Sequence, residues 1–205
     1  IGNTKETKMI ELDQIEKSFS DRKIFESLTY TFRTGEFYLV YGKNGAGKST
    51  LFSLISLFDR DYHGAYLLDG EERKRLWGKR EMKKRDESFS LLSPNNDLPP
   101  HMTLGELSAF EGFDCTLSFP SEKCVDTLSG GEKELIALDI EFHNKKPYLL
   151  LDETTSHLDD SHVNDFLALL QKRSEDQTVL FFTHDIRLKG RGKTLLLEDG
   201  KIREA

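Results

Sequence analysis

Nine residues beginning at position 42, GKNGAGKST, constrain this chain more than any other stretch. Gly42, Gly47, Lys48 and Ser49 keep the spacing Gly-x-x-x-x-Gly-Lys-Ser of a phosphate-binding loop. Glycine lets the backbone curl with no Cβ in the way, so that successive N–H groups point inward at phosphate oxygens. The lysine brings a point charge to the β- and γ-phosphates, and the hydroxyl after it takes one position on Mg²⁺. Such a loop needs a strand before it and a helix after it. Residues 37–41, FYLVY, read as a buried strand, and Leu51, Leu54, Ile55 and Phe58 recur at helical spacing. A helix beginning near Gly47 adds the positive end of its dipole to the same anion site.

At 205 residues the chain is ample for a sizeable core. Its formal charge of −7 argues against bulk affinity for nucleic acid or anionic lipid. No run of roughly 18 apolar residues is present, and no apolar stretch follows a basic start, so neither a spanning helix nor a secretory signal is expected. Cys115 and Cys124 do not make a disulfide framework; they read as small core or loop residues in a reducing compartment. Residues 1–8 differ from the rest, so Met9 reads as a natural start and what precedes it as a cloning remnant or a disordered tail.

Alternation from Met9 to Phe19, a polar turn at residues 20–23 and alternation again to Phe32 predict an antiparallel β meander ahead of the loop's own strand. Phe19 has two readings, a platform on which a base stacks or a strand aromatic that only packs in the core. Residues 62–68 read as a further strand closed by Asp69-Gly70. Residues 71–87 are the most charged run and predict a solvated helical face, with contact to a partner or to lipid headgroups as the other reading. Residues 89–92 form a short strand before a breaker-rich loop at 93–100. Thr103 with Glu106 three residues on is a capping box for a short helix, and residues 112–123 are irregular.

The signal strengthens after Cys124. Ser129-Gly130-Gly131-Glu132 opens a helix to about Phe142, capped by Ser129, with a second anion site behind the cap. Residues 148–151, YLLL, are uniformly apolar, as a strand buried on both faces should be, and end in Asp152-Glu153. An acid at that tip, beside the phosphate loop, is where Mg²⁺ needs a carboxylate, so Asp152 is assigned to the metal. Glu153 is assigned to the water that attacks the γ-phosphate. Val163, Phe166, Leu167 and Leu170 mark another helix, and residues 179–182 a buried strand ending in Thr183-His184-Asp185. His184 either faces the crevice of Lys48 and Asp152 or is a satisfied structural histidine at a strand end. Residues 194–202 close as a hairpin.

In this order the segments resemble an ATP-binding-cassette ATPase domain from about Met9 to the C-terminus. Residues 42–50 are similar to its Walker A motif, LSGGE at 128–132 to its signature motif, and residues 148–153 to its Walker B strand with the catalytic glutamate. Residues 156–159 resemble its D-loop and His184 its switch histidine, while Phe19 falls where the family places its adenine-stacking aromatic. The resemblance implies an α/β fold, a P-loop NTPase core with a mostly parallel sheet and an N-terminal antiparallel β subdomain. A reduced helical subdomain is expected at about residues 93–142 within a single domain spanning 9–205. ATP and Mg²⁺ are the implied cofactors. Phe19, Gly42, Asn44, Gly45, Ala46, Gly47, Lys48, Ser49 and Thr50 are the implied nucleotide contacts, Ser49 and Asp152 the metal ligands, and Lys48, Glu153 and His184 the hydrolytic set. The resemblance further implies that two copies, or this chain and a homologous ATPase subunit, pair head to tail. Lys48 of one copy and Ser129, Gly130 and Gly131 of the other then clamp one ATP.

Three departures stand out. Pro94 falls where the family has a glutamine that senses Mg²⁺ and the attacking water, with Asn95 and Asn96 as neighbouring replacements. Lys133-Glu134-Leu135 and Asp139-Ile140-Glu141 replace the family's Gln-Arg and Ala-Arg-Ala runs, and the span before the signature is short. These bear on coupling and turnover more than on nucleotide binding. The expected function is the ATP-hydrolysing subunit of a membrane transporter, an exporter, on the cytoplasmic face of the membrane. Its partner is an integral-membrane subunit on a separate chain, and no nucleic acid is expected. Two other readings stay open: a soluble cassette protein acting in translation, DNA repair or cofactor assembly, favoured by His157 in the D-loop, and a slowly hydrolysing regulatory cassette, favoured by the missing glutamine.

Overall fold

Alternation in the first third of the chain becomes a hairpin. β1 (Met9–Phe19) and β2 (Arg22–Arg33) pair antiparallel, Ile10 opposite Phe32 and Ile15 opposite Leu28, and these four side chains are buried. The computed structural model describes residues 9–20, 22–73, 78–93, 98–113, 115, 117, 119–155, 158–173 and 177–205. After the hairpin come β3 (Phe37–Tyr41), α1 (Lys48–Ile55), β4 (His63–Leu68) and β5 (Glu71–Glu72). α2 (Lys79–Ser88), β6 (Phe89–Leu92), α3 (Leu104–Glu111) and α4 (Gly130–His143) follow. β7 (Tyr148–Asp152), α5 (Asp160–Arg173), β8 (Thr178–Thr183), β9 (Lys193–Glu198) and β10 (Lys201–Glu204) complete the chain.

The strands make two sheets. The first has the order β2-β1-β4-β5 and is antiparallel throughout, so β4 returns from beyond the phosphate loop to the free edge of β1. A register shift between Leu12 and Ile15, with Gln14 at φ 50°, bends β1 where β4 meets it. Gly64, at φ 94°, faces that bend, where a Cβ would collide with the Gln14 carbonyl. The second sheet has the order β10-β9-β3-β8-β7-β6 and is parallel except for β10 at its edge.

Alternate residues of the parallel strands feed two different cores. Tyr38, Val40, Tyr148, Leu150, Leu180 and Phe182 pack with the antiparallel sheet and with Leu51, Leu54 and Ile55 of α1. Leu39, Leu149, Leu151, Val179 and Phe181 face the other way, onto Leu135, Leu138 and Phe142 of α4 and Val163, Phe166, Leu167 and Leu170 of α5. Burial on both faces explains the unbroken apolar runs of these strands. A third, small cluster joins Leu104 and Leu107 of α3 to Phe113, Val125, Leu128 and Ile136, so α4 is held from two sides.

Two expectations needed correction. α1 stops at Ile55, and Phe58, read as part of its apolar face, is half exposed with the Arg85 guanidinium 4.8 Å from its ring. The charged run at 71–87 is not one solvated face: Arg73 and Glu81 are buried together with Arg60, with Arg60–Glu81 and Arg73–Glu81 separations of 3.5 and 3.8 Å. Glu81 offsets one of the two guanidinium charges and Glu71, bonded to Arg73, offsets the other, which makes that burial tolerable as a property of the assembled fold rather than of the run.

Candidate functional site

β3 runs between β8 and β9, fully buried at Tyr38, Leu39 and Val40, and delivers residues 42–47 to the C-terminal edge of the parallel sheet. The loop is closed by Ala46 N donating to Lys43 O at 3.0 Å and Leu51 N to Gly47 O at 2.8 Å. Gly47 caps α1 at φ 102°; a Cβ there would lie 2.8 Å from Ile24 Cγ2, so both backbone angle and space demand glycine. Lys48 is nearly buried. Its Nζ donates to Gly42 O at 2.8 Å and stands 3.7 Å from Glu153 Oε1.

The carboxylates arrive from β7, which is separated from β3 by β8. Glu153 leaves the strand at φ 52°, unusual for a residue with a side chain, and its N–H donates to Phe182 O at 2.9 Å. Its Oε2 accepts from His184 N at 3.2 Å and faces His184 Nδ1 at 2.8 Å. His184 follows the last residue of β8, and its side chain is 64% exposed. A cleft of about 410 Å³ gathers these parts: Phe19, Asn44, Gly45, Gly47, Lys48, Ser49, Thr50, Asp152 and Glu153 line it, with Arg22, Ile24 and Lys43.

Phe19 stands at the rim, 51% exposed, which removes the reading of a ring that only packs in the core. Lys17 Nζ lies 4.6 Å from the ring centroid and is held by Asp59 Oδ2 at 2.9 Å and Asp61 O at 2.6 Å. Arg22 carried no signal beyond a polar turn. Its Nη2 donates to Gly45 O at 2.9 Å, and a cation three residues after Phe19 at the mouth of an anion site is the cue in retrospect. Gly42 enters through its carbonyl, and Ala46 lines an adjoining hollow of about 260 Å³ with Arg22 and Asp199.

Ser129, Gly130 and Gly131 are not among the residues lining the cleft. Ser129 Oγ accepts from Glu132 N at 3.2 Å while Glu132 Oε2 accepts from Ser129 N at 2.8 Å, the capping box that starts α4. The His162 ring covers Gly131, where an added Cβ would sit 2.9 Å from it. Pro94, Asn95, Asn96, Ser156 and His157 lie outside the described residues.

The residues fit a nucleotide with a divalent cation. Burial raises the Asp152 carboxyl, the neighbouring Glu153 raises it further, and Lys48 only partly offsets them. A carboxylate pair with one lysine is a site whose electrostatics a cation relieves. Among the described residues no cluster of three or more His, Cys, Asp or Glu is placed to hold a metal. Ser49 and Asp152 both line the cleft and offer oxygens of the kind that would suit a hard cation sharing its other positions with phosphate and water.

Phosphate loop, buried strands and acidic strand tip define a P-loop nucleotide-binding α/β domain. The family model for ABC transporters matches residues 25–156. The chain belongs to the ABC transporter family and is an ATPase of that family. It is 27% identical to the macrolide export ATP-binding/permease protein MacB of Hyphomonas neptunium, over 95% of this chain and 34% of that protein. It is 27% identical to the lipoprotein-releasing system ATP-binding protein LolD 1 of Caulobacter vibrioides, over 96% of this chain and 95% of that protein. The chain thus spans about a third of one relative and nearly all of the other. Among solved structures, the bacterial ABC transporter cassette MJ0796 in its dimeric form superposes with a TM-score of 0.78 at 23% identity, covering 96% of this chain and 97% of that one. At that identity the likeness is one of fold. No helix among the described residues is long and apolar enough to cross a membrane.

Proposed function

We propose that this chain binds ATP in the cleft beneath Phe19, hydrolyses it as a head-to-tail pair, and thereby powers transport through an integral-membrane partner chain at the cytoplasmic face. One observation carries the reading: the Glu153 carboxylate is held between Lys48 and His184 at the mouth of the phosphate loop, beside Asp152. The backbone N–H groups of residues 44–49 cradle the phosphates. Lys48 exchanges its bond to the Gly42 carbonyl for phosphate oxygen. Glu153 takes a proton from the attacking water, and His184, bonded to the same carboxylate, keeps it turned toward the γ-phosphate. Ser49 and Asp152 would hold Mg²⁺, which would neutralise charge building on the phosphates. Phe19 stacks on the base. Residues 93–142 act as a reduced helical subdomain that presents Ser129, Gly130 and Gly131 to the nucleotide of a second copy.

Transport is supported by family membership and by the roles the relatives are named for, macrolide export for MacB and lipoprotein release for LolD 1. Other relatives are named for methionine import, so the proposal covers neither direction nor cargo. Glu153→Gln tests the hydrolytic reading. Removing the base should lower turnover about a hundredfold or more while nucleotide affinity stays within about threefold. Unchanged turnover removes Glu153 as the base.

A further inference from the structure

The two residues proposed to share the chemistry each open a loop: Glu153 follows β7, and His184 follows β8. They touch at 2.8 Å, so that contact depends on how the two loops are held against each other. The tie lies farther along both loops, on a single guanidinium. Arg187 Nη2 donates to Thr155 O at 2.9 Å, and Nη1 donates to Leu158 O at 2.8 Å and to Asp160 Oδ1 at 3.1 Å. On its own loop, Arg187 Nη2 donates to Asp185 Oδ2 at 2.7 Å and Nε to Asp185 Oδ1 at 2.9 Å. Asp185 closes the circuit from the other side, since Thr155 Oγ1 donates to its Oδ2 at 2.9 Å.

We infer that Arg187 is a positioning residue that fixes the loop bearing Glu153 against the loop bearing His184, and so sets the distance between base and histidine. The inference rests on the roles proposed above for those two side chains. Burial alone would raise the Asp185 carboxyl, but its bonds to Arg187 and Thr155 prevail and keep it below the ordinary range. A planar guanidinium suits the task because five donors in a fixed plane can serve two carbonyls and two carboxylates at once. A lysine supplies the charge without the fork. Arg187 is not among the residues lining the cleft, so its effect belongs on turnover rather than on nucleotide capture.

Arg187→Ala, Arg187→Lys and Glu153→Gln, each in the full chain, decide the matter through kcat, KM for ATP, Mg²⁺-free nucleotide affinity and Tm. In Arg187→Ala, kcat should fall about ten- to a hundredfold, the scale of a misplacement near 1 Å, with KM and Mg²⁺-free affinity within about twofold of wild type. Arg187→Lys should remain within about threefold of Arg187→Ala, because the fork rather than the charge is at issue. Wild-type kcat in either Arg187 variant, alongside a dead Glu153→Gln, overturns the inference and leaves the hydrolytic reading standing. Equal losses of kcat and nucleotide affinity with a collapsed Tm also overturn it, as a merely structural role. Should Arg187→Ala not fold, Arg187→Lys decides by the same split between kcat and KM. Wild-type turnover in Glu153→Gln removes the hydrolytic reading, and the inference with it.

Discussion

At the scale of single residues, Phe19 is where a fold role and a ligand role separate most cleanly. Its ring is half exposed at the cleft rim, with the buried Lys17 ammonium 4.6 Å from the centroid. A core phenylalanine costs about 3–5 kcal/mol when cut to alanine, whereas this ring has little packing to lose. Base stacking on an aromatic contributes about 1–3 kcal/mol. Phe19→Ala should therefore weaken ATP binding about five- to a hundredfold and shift stability by less than about 1 kcal/mol. Phe19→Tyr should bind as wild type. Titration with a fluorescent ATP analogue beside thermal melts separates the two effects, and a large fall in Tm with intact affinity would return Phe19 to the core. Lys17 is a different case. Its ammonium is the partner of Asp59, whose side chain is only 21% exposed, so Lys17→Met strands a carboxylate as well as uncovering the ring.

At the scale of elements, α4 carries a conflict within its buried stretch. Its capping box is in place, and Lys123 Nζ sits 2.7 Å from Glu132 Oε1, so the first turn is well satisfied. One turn on, Glu134 is 9% exposed, and its Oε2 meets no hydrogen-bond partner among the described residues. Burial pushes its carboxyl up from 4.5 to about 7. A raised carboxyl binds its proton more tightly in the folded chain than in the unfolded one. Its contribution is thus harmless below about pH 4.5, grows unfavourable as pH rises to about 7, and stays at its full cost above that. The shift corresponds to roughly 3 kcal/mol. Glu134→Gln should raise Tm at pH 8 and change it little at pH 4.5, read as the difference between variant and wild-type melts across that range. Local signals made most elements legible: the Thr103 and Ser129 caps, the apolar runs of β7 and β8, and the loop before α1 all follow rules that act within a few residues. What escaped the sequence was nonlocal. The return of β4 to the edge of β1, the burial of Arg60, Arg73 and Glu81 as one group, and the fork of Arg187 across two loops all join residues distant in the chain. In the site, the phosphate loop and the acidic strand tip were legible as motifs, while Arg22 was not, because a basic turn residue has no periodicity to betray it.

At the scale of the whole molecule, the proposed pairing can be tested by complementation, and the structure chooses the variants. Lys48→Ala removes the phosphate-loop cation without touching α4. The signature half calls for a change that blocks a second copy but leaves the chain itself folded. Gly131 is unsuitable, since a Cβ there would press into the His162 ring at 2.9 Å. At Gly130 an added Cβ meets nothing within 4 Å, so Gly130→Leu points its bulk outward. Because Gly130 is not among the residues lining the cleft, that variant should bind ATP with wild-type affinity as a single chain. Each variant alone forms pairs in which both composite sites are spoiled. Mixed one to one, half the pairs are heterodimers, and each has one site with an intact Lys48 facing an intact signature. Hydrolysis should therefore recover to about a quarter of the wild-type rate on mixing, the value a two-fold head-to-tail arrangement dictates. Wild-type specific activity should also climb with protein concentration until pairing saturates. If the mixture stays as inactive as its components, or wild-type turnover per chain is independent of concentration far below dimerisation, each cleft is complete by itself and the head-to-tail pair is lost.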